Sequence, residues 1–124
     1  MRASLQLELP CTVYSPGLAR QAIRGVSALM TRREVEDLEL LVSELLANSV
    51  RHSGAGPEEV IHLDLEIAGD RISARVGDGG PGLLVAKRGD RQGFGLHIIE
   101  RISTRWGTSR DGRSQVWFDL RRGD

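Results

Sequence analysis

The stretch Glu44-Leu-Leu-Ala-Asn48-Ser-Val-Arg51-His52 carries two patterns at once. Leu45 and Leu46 continue an apolar stripe begun by Val35, Leu38, Leu41 and Val42, at the three- and four-residue spacing of an amphipathic helix. At about 100° per residue, Glu44, Asn48 and Arg51 fall within roughly a 60° sector beside that stripe. They share a rim, where polar groups can face a cleft while the leucines hold the helix on a core. Upstream, Thr31-Arg-Arg-Glu34 has capping-box spacing and predicts a helix start at Thr31, and Gly54 ends the pattern.

Working outward, Leu5, Leu7 and Leu9 alternate with polar residues up to Pro10, which predicts a half-buried strand. Ser15-Pro16 reads as an N-cap followed by proline at the first helical position, opening a helix to about Leu29. Val60 to Ile67 and Arg71 to Val76 alternate around Ala68-Gly69-Asp70, a hairpin signal. From Gly77 to Gly93 there is glycine and charge without periodicity, a loop whose length suits a lid or binding loop. A third helix is expected from about Leu96 to Ser103. Strands around Thr104 to Ser109 and Gln115 to Leu120 follow, joined by Asp111-Gly112, with Arg121 to Asp124 as a free tail. The order predicts an α+β two-layer sandwich, a mixed, mainly antiparallel sheet with helices on one face.

A chain of 124 residues supports one core, so a single domain over 1–124 is expected. Seventeen basic and seventeen acidic residues cancel, so nothing in the overall charge recruits nucleic acid or an anionic membrane nonspecifically, which leaves room only for a local basic patch. Cys11 is the only cysteine and has no internal disulfide partner. Neither a signal-peptide pattern nor an apolar run of the ~18 residues needed to span a bilayer is present, so the expected compartment is the cytoplasm.

The polar rim suggests chemistry. Asn48 offers a neutral carbonyl oxygen, a suitable ligand for Mg²⁺, which keeps several waters and takes other ligands from phosphates. Glu44, one turn earlier, is placed to accept a proton from a hydroxyl or water attacking a γ-phosphate, and Arg51 to meet phosphate oxygens. A solvated helix face is the plain alternative for the same residues. His52 is explained by the C-terminal carbonyls of its helix. Val76-Gly-Asp78 ends a strand, and the glycines after it, among them Gly80 and Gly82, let backbone approach a ligand. A carboxylate at Asp78 can accept from the exocyclic amine of adenine, where guanine presents a carbonyl; a simple surface turn is the alternative. Gly93-Phe-Gly95-Leu96 precedes a helix whose first N–H groups can bind phosphate oxygens, or is merely a glycine-rich helix entry. It fits neither the Walker nor the Rossmann glycine spacing.

Together, over most of the chain, these segments resemble the GHKL ATP-binding fold shared by gyrase, heat-shock chaperone, histidine kinase and mismatch-repair ATPases. The resemblance places Glu44 and Asn48 as the catalytic glutamate and Mg²⁺-binding asparagine of the N box. It places Asp78, Gly80 and Gly82 in the adenine box, and Gly93, Gly95 and Leu96 in the phosphate box. Ser43 to His52, the compact lid, Arg105-Trp-Gly107 and Val116-Trp-Phe-Asp-Leu120 look like the stand-alone anti-sigma-factor serine kinase branch of actinobacterial type. Such a kinase uses Mg²⁺ and ATP to phosphorylate a serine on an anti-sigma antagonist and sequesters a sigma factor, and relatives often dimerise. The resemblance thus implies ATP and Mg²⁺ as cofactors, those two proteins as partners, and room for a homodimer. Phe94 stands where branch members commonly have arginine, and counting back from Val-Trp-Phe sets Gln115 at the position of the family threonine that supports adenine. Those departures keep open a regulator-sequestering module with little kinase activity. A histidine-kinase-like catalytic domain acting in trans is a further alternative, with no room before Leu5 for dimerisation helices.

Overall fold

The computed structural model describes residues 2–52, 56, 58–78, 94–109 and 114–123. Its elements run β1 (Ala3–Pro10), α1 (Ser15–Gly25), a 3₁₀ turn at Ser27–Leu29, α2 (Arg32–His52), β2 (Val60–Ile67), β3 (Arg71–Asp78), α3 (Phe94–Ile102), β4 (Arg105–Ser109) and β5 (Ser114–Arg121). The five strands form one sheet in the order β1-β2-β3-β5-β4, and each of the four ladders is antiparallel. Helices cover one face, giving the expected α+β architecture.

Strand alternation makes this two-layer arrangement. Leu9, Ile61, Leu63, Leu65, Ile72, Val76, Val116 and Phe118 are buried together with Ala19 and Ile23 of α1, the leucine stripe of α2 and Ile99 of α3, in one apolar cluster. The alternate residues, Gln6, Asp64, Arg75 and Trp117 among them, line the face that none of the described helices covers. The hairpin between β2 and β3 closes at Ile67↔Ile72, with the Ala68 N–H donating to the Arg71 carbonyl at 2.9 Å.

Helix α2 starts as its sequence requires. The Glu34 N–H donates to Thr31 Oγ1 at 3.1 Å and the Thr31 N–H to Glu34 Oε1 at 2.9 Å, a complete capping box. Helix α1 departs from expectation in two ways. Ser15 is its first residue rather than its cap; Tyr14 holds the cap position without a side-chain bond. The leading N–H groups go instead to Thr12, from Tyr14 to its hydroxyl at 3.2 Å and from Ser15 to its carbonyl at 3.1 Å. Ser15 is buried, so its hydroxyl is turned away from the exposed turn that Thr12 serves. The helix also stops at Gly25, not Leu29: glycine lacks helical preference, and the chain tightens into the 3₁₀ turn.

The expected free tail is another correction. Arg121 ends β5, and Arg122 reaches across the molecule. Its guanidinium donates to the Leu29 carbonyl at 2.6 Å, the Ala68 carbonyl at 2.8 Å and Glu34 Oε1 at 3.1 Å, while its N–H donates to the Asp70 carbonyl at 3.0 Å. One side chain thereby ties β5, the β2–β3 turn, the 3₁₀ turn and the start of α2.

Candidate nucleotide site

Asn48, Glu44 and Arg51 occupy one side of α2 but at different depths. Asn48 is only 1% exposed, Glu44 is half-buried and Arg51 is exposed. The shared rim is thus a gradient from core to solvent, and a solvated helix face does not describe Asn48. A buried amide needs a partner. Arg51 Nη2 supplies it, donating to Asn48 Oδ1 at 2.7 Å, a short charge-assisted bond. Among the described residues Glu44 has no hydrogen-bond or ion-pair partner, so its carboxylate is available to a ligand.

One residue before Glu44, Ser43 Oγ accepts from Arg20 Nη1 of α1 at 3.0 Å. Sequence reasoning missed this link, because nothing local to Arg20 announces a contact with a residue on a different helix. At about 100° per residue Glu44 lies between Arg51 and Asn48, and Ser43 lies roughly 100° away on the Arg51 side.

Asp78 is the last residue of β3, and its ladder partner on β5 is Ser114. Gln115 pairs with Gly77 and lines the uncovered sheet face with His62, Asp64 and Arg75. Ser114, not Gln115, is thus the ladder partner of Asp78.

Helix α3 opens at Phe94, two residues before the predicted start, so Gly95 and Leu96 lie in its first turn, where backbone N–H groups have no intrahelical acceptor. Gly80, Gly82, Gly93 and the rest of the predicted lid lie outside the described residues, as does the Asp111-Gly112 turn. His52 is the last residue of α2. Among the described residues no three His, Cys, Asp or Glu side chains gather into a metal cage. Asn48 Oδ1, already drawn to a positive group, has the chemistry of a hard-cation ligand.

This geometry agrees with what the chain resembles. Residues 13–119 match the model of the histidine kinase-like ATPase domain. The chain belongs to that family. Within this ATPase-domain family it is similar to the serine-protein kinase RsbW of Listeria innocua, 32% identical over 83 residues, which is 64% of this chain and 53% of the relative. The RsbW of Listeria monocytogenes serovar 1/2a matches over the same lengths at 32%. This ATPase domain spans about half the length of the relatives it matches. Among its described residues no helix is long and apolar enough to cross a membrane.

Proposed function

We propose that the chain is a Mg²⁺- and ATP-dependent protein serine kinase of the cytoplasm, folded as a single domain, that regulates transcription by partner switching. Its partners are a sigma factor, which it sequesters, and an anti-sigma antagonist, whose serine it phosphorylates. The observation that carries the reading is the pairing on α2 of a buried amide oxygen, Asn48 Oδ1, with a half-buried carboxylate one turn earlier, Glu44, that has no partner among the described residues. Similarity to serine-protein kinases supports it.

In this reading Asp78, with Ser114 across the ladder, receives the adenine amine, and Gly80 and Gly82 admit the base and sugar. Gly93, Gly95 and Leu96 present backbone N–H groups to phosphate oxygens, and Arg51 adds a positive charge. Asn48 holds the cation, which when bound neutralises charge on the β- and γ-phosphates. The acceptor serine oxygen bonds to the γ-phosphorus as the bond to the bridging oxygen breaks and ADP leaves. Glu44 takes the serine proton.

Radiolabelled phosphate transfer to the antagonist tests it. Glu44→Gln is expected to lower the rate by about 10²–10⁴ while calorimetric ATP affinity stays within a few-fold. An unchanged rate rules out Glu44 as the base. A second reading, sequestration with little transfer, draws on the uncharged Phe94 at the start of α3; sigma-factor binding without label transfer by the wild type selects it.

The uncovered sheet face also supports a homodimer. Glu8, Asp64 and Glu66 lie on β1 and β2, whereas Arg71, Arg75, Arg105 and Arg121 lie on β3, β4 and β5. A two-fold axis parallel to β3 sets the acidic half of each copy on the basic half of the other, the self-complementarity an isologous interface needs.

A further inference from the structure

Asn48 is the most deeply buried of the three predicted α2 residues, and its amide oxygen is already taken: Arg51 Nη2 sits 2.7 Å from Oδ1. The donor belongs to an exposed residue one turn later on the same helix, so the guanidinium reaches back over a buried neighbour. Among the described residues Arg51 has no carboxylate partner, and a neutral amide is all that holds it. The guanidinium is therefore retained by the weaker of the two acceptor classes it can bind, while covering the one oxygen suited to a divalent cation.

We propose that Arg51 is a displaceable placeholder for the cation: in the nucleotide-free protein it occupies Asn48 Oδ1, and it transfers to phosphate oxygens when a nucleotide arrives, uncovering that oxygen. The inference rests on the nucleotide reading above. Two positive groups within a few ångströms of one oxygen repel strongly in a partly buried setting, so Arg51 bars a lone divalent ion. Phosphates remove the bar by offering the guanidinium charged, bidentate acceptors. Nucleotide and cation thus become positively coupled through a side chain that one draws away and the other replaces.

Two measurements on the full chain test this. Thermal melts of the nucleotide-free wild type, Arg51→Met, Asn48→Ala and the double variant form a cycle. The proposal expects non-additivity of about 2 °C or more, the signature of a direct bond; additive melts overturn it. Calorimetric titration of Mg²⁺ into the nucleotide-free protein, run beside ATP titrations across a Mg²⁺ series, gives the Mg²⁺ concentration of half-saturation. That concentration is expected to fall about five-fold in Arg51→Met, with Arg51→Lys in between, as loss of one charge-assisted competitor implies. An unchanged or raised value overturns the placeholder while leaving ATP binding intact. A wild type that binds no ATP at any Mg²⁺ concentration overturns the nucleotide reading and the inference with it.

Discussion

Gly107 shows how one residue is dictated by a neighbour that sequence does not reveal. A Cβ at this position would lie 2.8 Å from Trp117 Cζ2, because the two residues are ladder partners and the indole lies across the glycine. Arg105 stacks 5.5 Å above the same ring and pairs with Asp119 at 3.8 Å, and Asp119 accepts from Ser73 Oγ at 2.8 Å. Arg105-Trp-Gly107 was recognisable as a family mark, but its physical role, seating Trp117, needs β4 and β5 side by side. Gly107→Val is expected to lift the indole and cost about 1–3 kcal/mol, through overpacking against an aromatic ring. Urea unfolding with Trp106→Phe as background reads both effects, and unchanged midpoint and emission would count against the seat. The candidate site was legible to a different degree at each residue. Helical periodicity alone put Glu44 beside Asn48, whereas the burial of Asn48 depends on how α2 lies over the sheet.

At the scale of elements, the beginning of α2 joins a local signal to a distant one. The Thr31–Glu34 box is readable from spacing, because its two bonds close within four residues. That Glu34 also pairs with Arg122 is not readable, for 88 residues separate them. Burial pushes the Glu34 carboxyl up, but the Arg122 guanidinium and the N–H and hydroxyl of Thr31 outweigh it and hold the group below its usual 4.5. A depressed folded-state value means that ionised Glu34 stabilises the fold above about pH 4.5, and that this contribution fades as pH falls through the lower folded value. Glu34→Gln retains a capping oxygen yet removes the charge. At pH 7 it is expected to cost about 1–3 kcal/mol, since both side chains are largely buried and Arg122 loses its anion. The gap to wild type should close in denaturant titrations carried towards pH 3; a gap independent of pH would show that the pair is not what Glu34 contributes. The same clasp explains why Arg121 to Asp124 look like a tail in sequence. Two arginines, a glycine and an aspartate have no periodicity, and the anchoring of Arg122 depends on carbonyls of Leu29, Ala68 and Asp70, far away in the chain.

For the whole molecule, the consequence of covering one sheet face is that the other remains available. Its division into an acidic β1–β2 half and a basic half carried by β3, β5 and β4 yields a test of the proposed homodimer. Asp64→Arg with Glu66→Arg makes the face predominantly basic, and Arg75→Glu with Arg105→Glu makes it largely acidic. Each variant alone is expected to sediment as a monomer, and an equimolar mixture to recover the dimer, because both contact zones then join opposite charges. A mixture that stays monomeric, or single variants that still dimerise, argues against this face. Sequence by itself determined the elements and the layer each belongs to: apolar periods of two and of 3.6 residues are local, and so are a capping box and a carboxylate one helical turn from an amide. Tertiary structure decided which strands adjoin, that Ser114 rather than Gln115 stands across from Asp78, how deeply Asn48 lies, and that the chain end returns to clasp α2. Those outcomes depend on contacts between segments distant in sequence, whose register and burial are set only when the sheet and helices close on one another.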